Sequence, residues 1–161
     1  MAFDAFLKIE GIKGESTDKT HKDEIVLESF SWGVANSGAG YAGSAGRATG
    51  KSAPSDFSVV KKVDKASPDL FAACASGKHT PTMMVTVRKA GGEPLEYLTL
   101  KFTEVMVSSY QSGGSAGGDL PVETVSFNYS KVELSYVPQD AKGKGMSPVG
   151  TGWDFSKNTK V

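Results

Sequence analysis

Cysteine and histidine are nearly missing from this chain, with one of the former, Cys74, and two of the latter, His21 and His79. A single cysteine excludes an internal disulfide framework. Two histidines, neither with a cysteine or a second histidine at ligand spacing, exclude a histidine-rich metal site and weaken the case for general-base chemistry. Excess charge of either sign is missing too, since 18 Lys plus Arg balance 18 Asp plus Glu. Nucleic-acid binders draw much of their affinity from neutralising phosphates, so a net charge of zero argues against that class. It argues equally against a polybasic protein of membrane surfaces. No apolar run approaches the about 20 residues that a membrane-spanning helix needs. The opening residues, Met1 to Lys8, carry no basic region, apolar run or cleavage site of a secretory signal. The chain is therefore expected to fold in the cytoplasm and, if it leaves the cell, to leave without a cleaved signal.

Glycine is abundant by contrast. Nine of the 19 glycines cluster at 38–50 and 113–118, which marks two long loops rather than a repeat. At 161 residues the chain reads as a single domain, 1–161, able to bury about two thirds of its unfolded surface without covalent staples. The hydrophobic period is mostly two, the period of β-strands. Phe3, Ala5, Leu7 and Ile9 alternate with Asp4, Phe6, Lys8 and Glu10. A second strand is expected from about Ile25 to Val34, with Val26, Phe30, Trp32 and Val34 on its apolar face and Ser29 and Ser31 on the other. Phe57, Val59, Lys61 and Val63 read as a short strand, and Met83, Val85 and Val87 as another. Leu95 to Tyr110 reads as a long strand facing the core through Leu98, Leu100, Phe102 and Met106. From Val122 to Val137 the phase changes: Val125, Phe127 and Tyr129 share one parity, Val132, Leu134 and Tyr136 the other. That shift predicts a bulge or a barrel corner between Ser130 and Val132. A last short strand is expected around Trp153 to Phe155.

One helix is expected, Ser67 to Ser76. Ser67 offers a capping oxygen, Pro68 suits the first turn, Asp69 complements the positive helix end, and Gly77 suits a left-handed stop. These readings combine into a mainly β fold, an antiparallel closed β-barrel or tight sandwich, with one short α-helix and a long protruding loop at 36–56. A loop of that length within a compact domain is functional or disordered.

Several motif matches fail on context. Gly38-Ala39-Gly40-Tyr41-Ala42-Gly43 fits a dinucleotide-binding fingerprint, but no helix follows to hold a pyrophosphate. Gly46 to Ser52 is one residue short of a phosphate-binding loop and again lacks its helix. Gly113-Gly114-Ser115-Ala116-Gly117 fits a nucleophile elbow, but a strand follows it and both histidines precede it. Ser58-Val59-Val60-Lys61 places its serine and lysine on opposite faces of a strand. His21 and His79 read as surface residues, and Cys74 as a small core residue. No catalytic constellation survives, so no catalytic, metal or cofactor-binding residue is assigned. The residues favour a binding or assembly protein over an enzyme.

Short segments spread along the chain carry a family resemblance. They include Phe6-Leu7-Lys8-Ile9, Gly14-Glu15-Ser16, His21-Lys22-Asp23-Glu24-Ile25, Ser31-Trp32-Gly33, Asp64-Lys65-Ala66-Ser67-Pro68, Ser76-Gly77-Lys78-His79, Arg88-Lys89-Ala90-Gly91-Gly92, Val107-Ser108-Ser109-Tyr110 and Pro138-Gln139. Their order and spacing, from Met1 to about Trp153, resemble the haemolysin-coregulated proteins, Hcp, which form the tube of the bacterial type VI secretion system. The resemblance implies a β-barrel with one helix, a homo-hexameric ring, and rings stacked into a tube that sheath contraction expels. It implies partners: a spike protein at the tip, sheath and baseplate proteins, and small effector proteins carried in the lumen. It implies neither an enzyme nor a cofactor, no nucleic acid, and no direct membrane insertion. On that footing Tyr41, Arg47 and Lys51 are candidate subunit contacts, Ser29 and Ser31 face the lumen, and Ser115 and Asp119 belong to a stacking loop. The chief alternative is a monomeric β-barrel module that binds a sugar or a peptide.

Overall fold

The computed structural model describes residues 2–36, 50–91 and 94–161. Its described residues contain twelve strands and one helix. In chain order these are β1 (Phe3–Ile9), β2 (Ile25–Leu27), β3 (Ser29–Ser31), β4 (Val34–Asn36), β5 (Ser52–Pro54), β6 (Phe57–Lys62), α1 (Ser67–Ser76), β7 (His79–Lys89), β8 (Glu96–Gly113), β9 (Val122–Asn128), β10 (Lys131–Tyr136), β11 (Val149–Asp154) and β12 (Thr159–Lys160). Every pairing between them is antiparallel.

The ladders run in one series from β3 round to β2, two strands that follow each other in the chain. β8 pairs with β9, β9 with β6, β6 with β3; β2 pairs with β1, β1 with β7, and β7 with β8. Only Glu28 separates β2 from β3, and its N–H donates to the Val60 carbonyl at 2.8 Å, so the hydrogen bonding is carried across that gap. Two wings leave the series. One is β10, β11 and β12, which continues from the first half of β8. The other is the β4–β5 ribbon, which continues β3 and β6. The ends of the expected 36–56 loop are thus paired strand, Asn36 opposite Ser52, while its interior lies outside the described residues.

The interior is filled by alternate residues, as side-chain alternation across a pleated strand requires. Leu7, Ile25, Phe57, Val59, Leu70, Val85, Leu100, Phe102, Val125 and Phe127 are all fully buried. Phe102 sits at the centre, with the rings of Phe57 and Tyr129 both 4.8 Å from its own. α1 lies against β8 and buries Ser67, Leu70 and Ala73, whereas Phe71 stays 60% exposed on its outer side. Cys74 is half-buried at the margin of the core.

Three local expectations need correction, and each has a physical cause. The strand expected from 25 to 34 is not one amphipathic run. Ile25 and Leu27 point inward while Val26 is exposed, and Val34 is exposed beyond it. The inward parity changes at Glu28, where the strand changes partner from β1 to β6. In the long strand, Leu100 and Phe102 point inward as expected, but the buried residues then become Val105 and Val107 rather than Met106. Glu104 takes a left-handed conformation there, φ 55°, and shifts the phase by one. Ser130 N–H donates to the Thr103 carbonyl at this point, so the corner read from the 130–132 parity change has its counterpart across the ladder. Finally, Ser67 does not cap α1. The cap position is Ala66, and the Ser67 hydroxyl instead accepts a hydrogen bond from Asp64 N–H at 3.0 Å. Gly77 ends the helix in the expected left-handed conformation, φ 69°.

Candidate functional site

No group of three or more His, Cys, Asp or Glu suited to a metal ion occurs among the described residues. Two surfaces and two charged clusters carry the chemistry of this fold.

The first surface is a neutral polar wall. Ser31 of β3 lies opposite Ser58 of β6, Ser58 opposite Ser126 of β9, and Ser126 opposite Ser109 of β8. Residues in register share a face, so four serines form one row across four strands. The Ser58 and Ser126 hydroxyls are hydrogen-bonded at 2.9 Å. The adjoining row on the same face is Ser29, Val60, Thr124 and Gln111. Neither row carries a charge. Charge begins at the edge, where Lys62 meets Asp119 at 3.1 Å and Glu28 at 4.0 Å. The structure therefore places Ser29 and Ser31 exposed on a shared outer face, and adds Ser58, Thr124, Ser126, Ser109 and Gln111 to them. The signal for Ser58 and Ser126 was their polar parity in otherwise apolar strands.

The second surface is an apolar cleft of about 820 Å³ between the two wings, lined by Trp32, Val34, Val132, Leu134, Trp153 and Phe155 among others. The Trp32 ring stands edge-on to Phe102, with 6.2 Å between centroids, so the cleft floor is continuous with the core. Val34 in its lining is 60% exposed. The Trp153 indole N–H and the Ser52 hydroxyl are buried here with no hydrogen-bond partner among the described residues.

The first charged cluster is internal. Lys61 and Glu123 are register partners on the inward faces of β6 and β9, and both are fully buried. The Lys61 ammonium lies 2.6 Å from the Glu123 carboxylate and 2.9 Å from that of Asp64. It also donates to the Ser67 hydroxyl at 3.3 Å. Tyr110 donates its hydroxyl proton to the second Glu123 oxygen. Burial alone would raise the Glu123 carboxyl, but hydrogen bonds from Lys61, Tyr110 and Ser67 outweigh it and hold the group below its ordinary value. Burial, reinforced by Glu123, pushes the Tyr110 phenol up to about 12. With every Lys61 donor engaged, and Lys61 and Glu123 both out of reach of solvent, this cluster ties α1 to the β6–β9 ladder.

The second cluster covers the outer face of β1. His21, expected at the surface, is only 7% exposed and stacks on Phe6 with ring centroids 4.5 Å apart. Arg88 lies over the same Phe6 ring, 4.8 Å from its centroid, and holds Asp18 at 3.0 and 2.5 Å. The Arg88 guanidinium keeps the Asp18 carboxyl well below the usual carboxylate range. His79, at the start of β7, is exposed as expected.

Of the other candidate residues, Lys51 is exposed beside the β5 strand, and Tyr41 and Arg47 lie outside the described residues. Ser115 and Asp119 are exposed in the turn after β8. The Ser115 carbonyl accepts from Gly118 N–H at 3.0 Å, and Lys62 holds the Asp119 carboxyl below its ordinary value.

The described residues form an antiparallel, mainly β domain with one helix, a polar strand face and an apolar cleft. Comparisons with known proteins give the family. The family model described as "Type VI secretion system effector, Hcp" matches residues 6–136, and the chain belongs to that family. It is similar to protein hcp1 of Pseudomonas aeruginosa, 46% identical over 163 residues and 100% of both chains. A solved structure described as a type six secretion system protein superposes with a TM-score of 0.95 at 39% identity, covering 99% of this chain and 100% of the other. The crystal structure of Hcp1 from Salmonella typhimurium gives 0.81 at 37% identity, again over 99% and 100%. The family is one of secreted tube proteins of the type VI system, not of enzymes.

Proposed function

We propose that this chain is a ring-forming subunit of the type VI tube: six copies close into a ring, rings stack, and the tube is expelled by sheath contraction with effectors in its lumen. The observation that carries the reading is the cleft between the wings, which no described residue fills. Its walls are mostly apolar, Val34 in its lining is more than half exposed, and the strands bordering it have edges without a partner among the described residues. A lone soluble domain seldom leaves such a surface uncovered, whereas a subunit contact would cover it. A second copy docking there heterologously generates a closed ring, and two ring faces then permit stacking.

In this reading Lys51, with Tyr41 and Arg47, contributes to the subunit contact, and Ser115 and Asp119 to stacking. The serine wall faces the lumen and holds small effector proteins without charge. The spike protein meets the tube at its tip, and sheath and baseplate proteins meet it from outside. The chain assembles in the cytoplasm and then travels outward through the apparatus.

The cleft also gives the monomeric binding-module reading something specific, since Trp32, Trp153 and Phe155 could stack against a sugar or a peptide. One experiment separates the two readings. The native mass of the purified protein is measured across a concentration series and the particles are imaged by negative stain. Six chains of 16.9 kDa give about 101 kDa with a central hole. A 16.9 kDa monomer at every concentration overturns spontaneous ring formation and favours the binding module. Changing Tyr41 and Arg47 together to alanine should impair ring or tube formation; unchanged assembly removes those two residues from the contact.

A further inference from the structure

The connection from β1 to β2 is long, residues 10–24, yet it is strongly held. Gly14 N–H donates to Asp23 at 2.8 Å, Ser16 N–H to Glu24 at 3.0 Å, and Asp23 N–H to Ser16 at 2.8 Å, so the segment folds back on itself. His21 sits at its far end. Its Nδ1 is 2.9 Å from the Glu24 carboxylate, and its Nε2 is 2.6 Å from the carboxylate of Glu96, 75 residues away at the start of β8. A neutral imidazole has one N–H and one bare lone pair. With a carboxylate oxygen against each nitrogen, only the doubly protonated ring satisfies both contacts. A neutral ring would turn a lone pair toward an anion.

The surroundings reinforce this. The charged groups facing the site are Glu24 and Asp18 of the same connection, Glu96 of β8, Arg88 of β7 and Asp4 of β1. Asp18 also accepts the His21 backbone N–H at 3.1 Å. With His21 charged, two cations stand among four carboxylates. With it neutral, Arg88 stands alone among them, and Asp18 and Asp4 already occupy Arg88.

We propose that His21 is a proton-operated clamp: charged, it fastens the far end of the β1–β2 connection to the start of β8 across the outer face of β1, and neutral, it releases that end while Asp18 stays tied to Arg88 of β7. The Glu24 contact lies within the connection itself, so the Glu96 contact is the one that opens. The Glu96 side chain is 45% exposed and free to turn into solvent once its partner is lost. Burial by itself would lower the His21 pKa, but hydrogen bonds to Glu96 and Glu24 outweigh it, and the value lies above the ordinary one. The sign follows. A raised folded-state pKa gives a contribution fully present below the unfolded value of about 6.5 and lost as pH rises through the higher folded value. The clamp is closed in acid and opens in the alkaline direction, the reverse of the carboxylate pairs around it.

The test uses the full chain with His79→Gln, which removes the exposed histidine and leaves one imidazole to observe. Nitrogen-15 shifts of that ring are followed against pH, together with amide exchange at Gly14, Ser16 and Asp23. The expected result is a midpoint above about 6.5, with both nitrogens protonated below it. Exchange, corrected for its intrinsic pH dependence, should accelerate about tenfold as pH rises through that midpoint. Adding Glu96→Gln, a change at a partly exposed side chain, should lower the midpoint and leave the same amides fast throughout. A midpoint at or below about 6.5, one indifferent to Glu96→Gln, or protection unchanged across the range overturns the clamp.

Discussion

Lys61 and Glu123 face each other across the β6–β9 ladder, 2.6 Å apart, with neither side chain reaching solvent. Such a pair contributes little net stability while intact but is costly to break, because the survivor is left as an uncompensated buried charge. Lys61→Met should therefore destabilise the fold by about 3–5 kcal/mol in denaturant unfolding. Lys61→Met combined with Glu123→Leu should recover at least half of that loss, although the Tyr110 hydroxyl is then unpartnered. A single-variant cost under about 1 kcal/mol would show that the two groups are not paired in the folded protein.

The same cluster sets an alkaline limit. Tyr110 is pushed up to about 12 by burial and by Glu123, and Tyr129 up to about 12 by burial and by Asp56. Both phenols are held neutral in the folded chain, while the unfolded phenol titrates near about 10. Their contribution is present below about 10 and is lost as pH rises from there toward 12. Ultraviolet titration should show two of the five tyrosines ionising late, together with the loss of far-ultraviolet structure. Five tyrosines titrating together near about 10 would contradict this.

Gly14 is fixed by contact rather than by backbone angle. A Cβ there would lie 2.5 Å from the Glu24 carbonyl oxygen and 2.7 Å from the Ile25 Cα, both of them backbone. The segment cannot yield without losing the bonds that Gly14 and Ser16 make to residues 23 and 24. Gly14→Ala should cost roughly 2–3 kcal/mol and expose His21. The check is a thermal melt of the variant beside Gly117→Ala, where nothing lies within 4 Å and the melting temperature should hardly move.

Strand parity made most of the fold legible in the sequence. The corner at Ser130 and the core roles of Phe102, Val125 and Phe127 follow from period two alone. The misreadings of strand phase fall where a strand changes partner. At Glu28 and at Glu104 the inward parity shifts by one, and nothing in the local composition announces a left-handed glutamate. Lys61 was legible in retrospect: it shares a parity with Phe57 and Val59, and Glu123 shares one with Val125 and Phe127. A charge on each of two apolar rows is the trace of a buried pair. His21 left no such trace, because Phe6, on which it stacks, and Glu96, 75 residues away, meet it only in the folded chain. The apolar cleft was hidden for a related reason. Trp32 read as a core residue of its strand and Trp153 only as part of a short terminal strand, and only the divergence of the two wings leaves them lining a surface.

The serine row gives the last prediction. Ser31 is exposed at one end of the row, while Ser58 and Ser126 bond to each other in the middle. If this face lines a lumen, Ser31→Gln should keep the about 101 kDa species, built from 16.9 kDa chains, and lose effector co-purification, because the longer amide projects from the wall without touching the core. Ser58→Ala should do less to cargo and cost about 1 kcal/mol, the net worth of one hydrogen bond. Placing Asp at position 126 tests the neutrality of the wall: six added carboxylates around a narrow bore repel acidic cargo and one another, with an effect that fades as salt is raised. Loss of the ring itself in Ser31→Gln would move that residue from the lumen to a packing contact. Retention of cargo in both Ser31→Gln and Ser126→Asp would take the effector site off this face altogether.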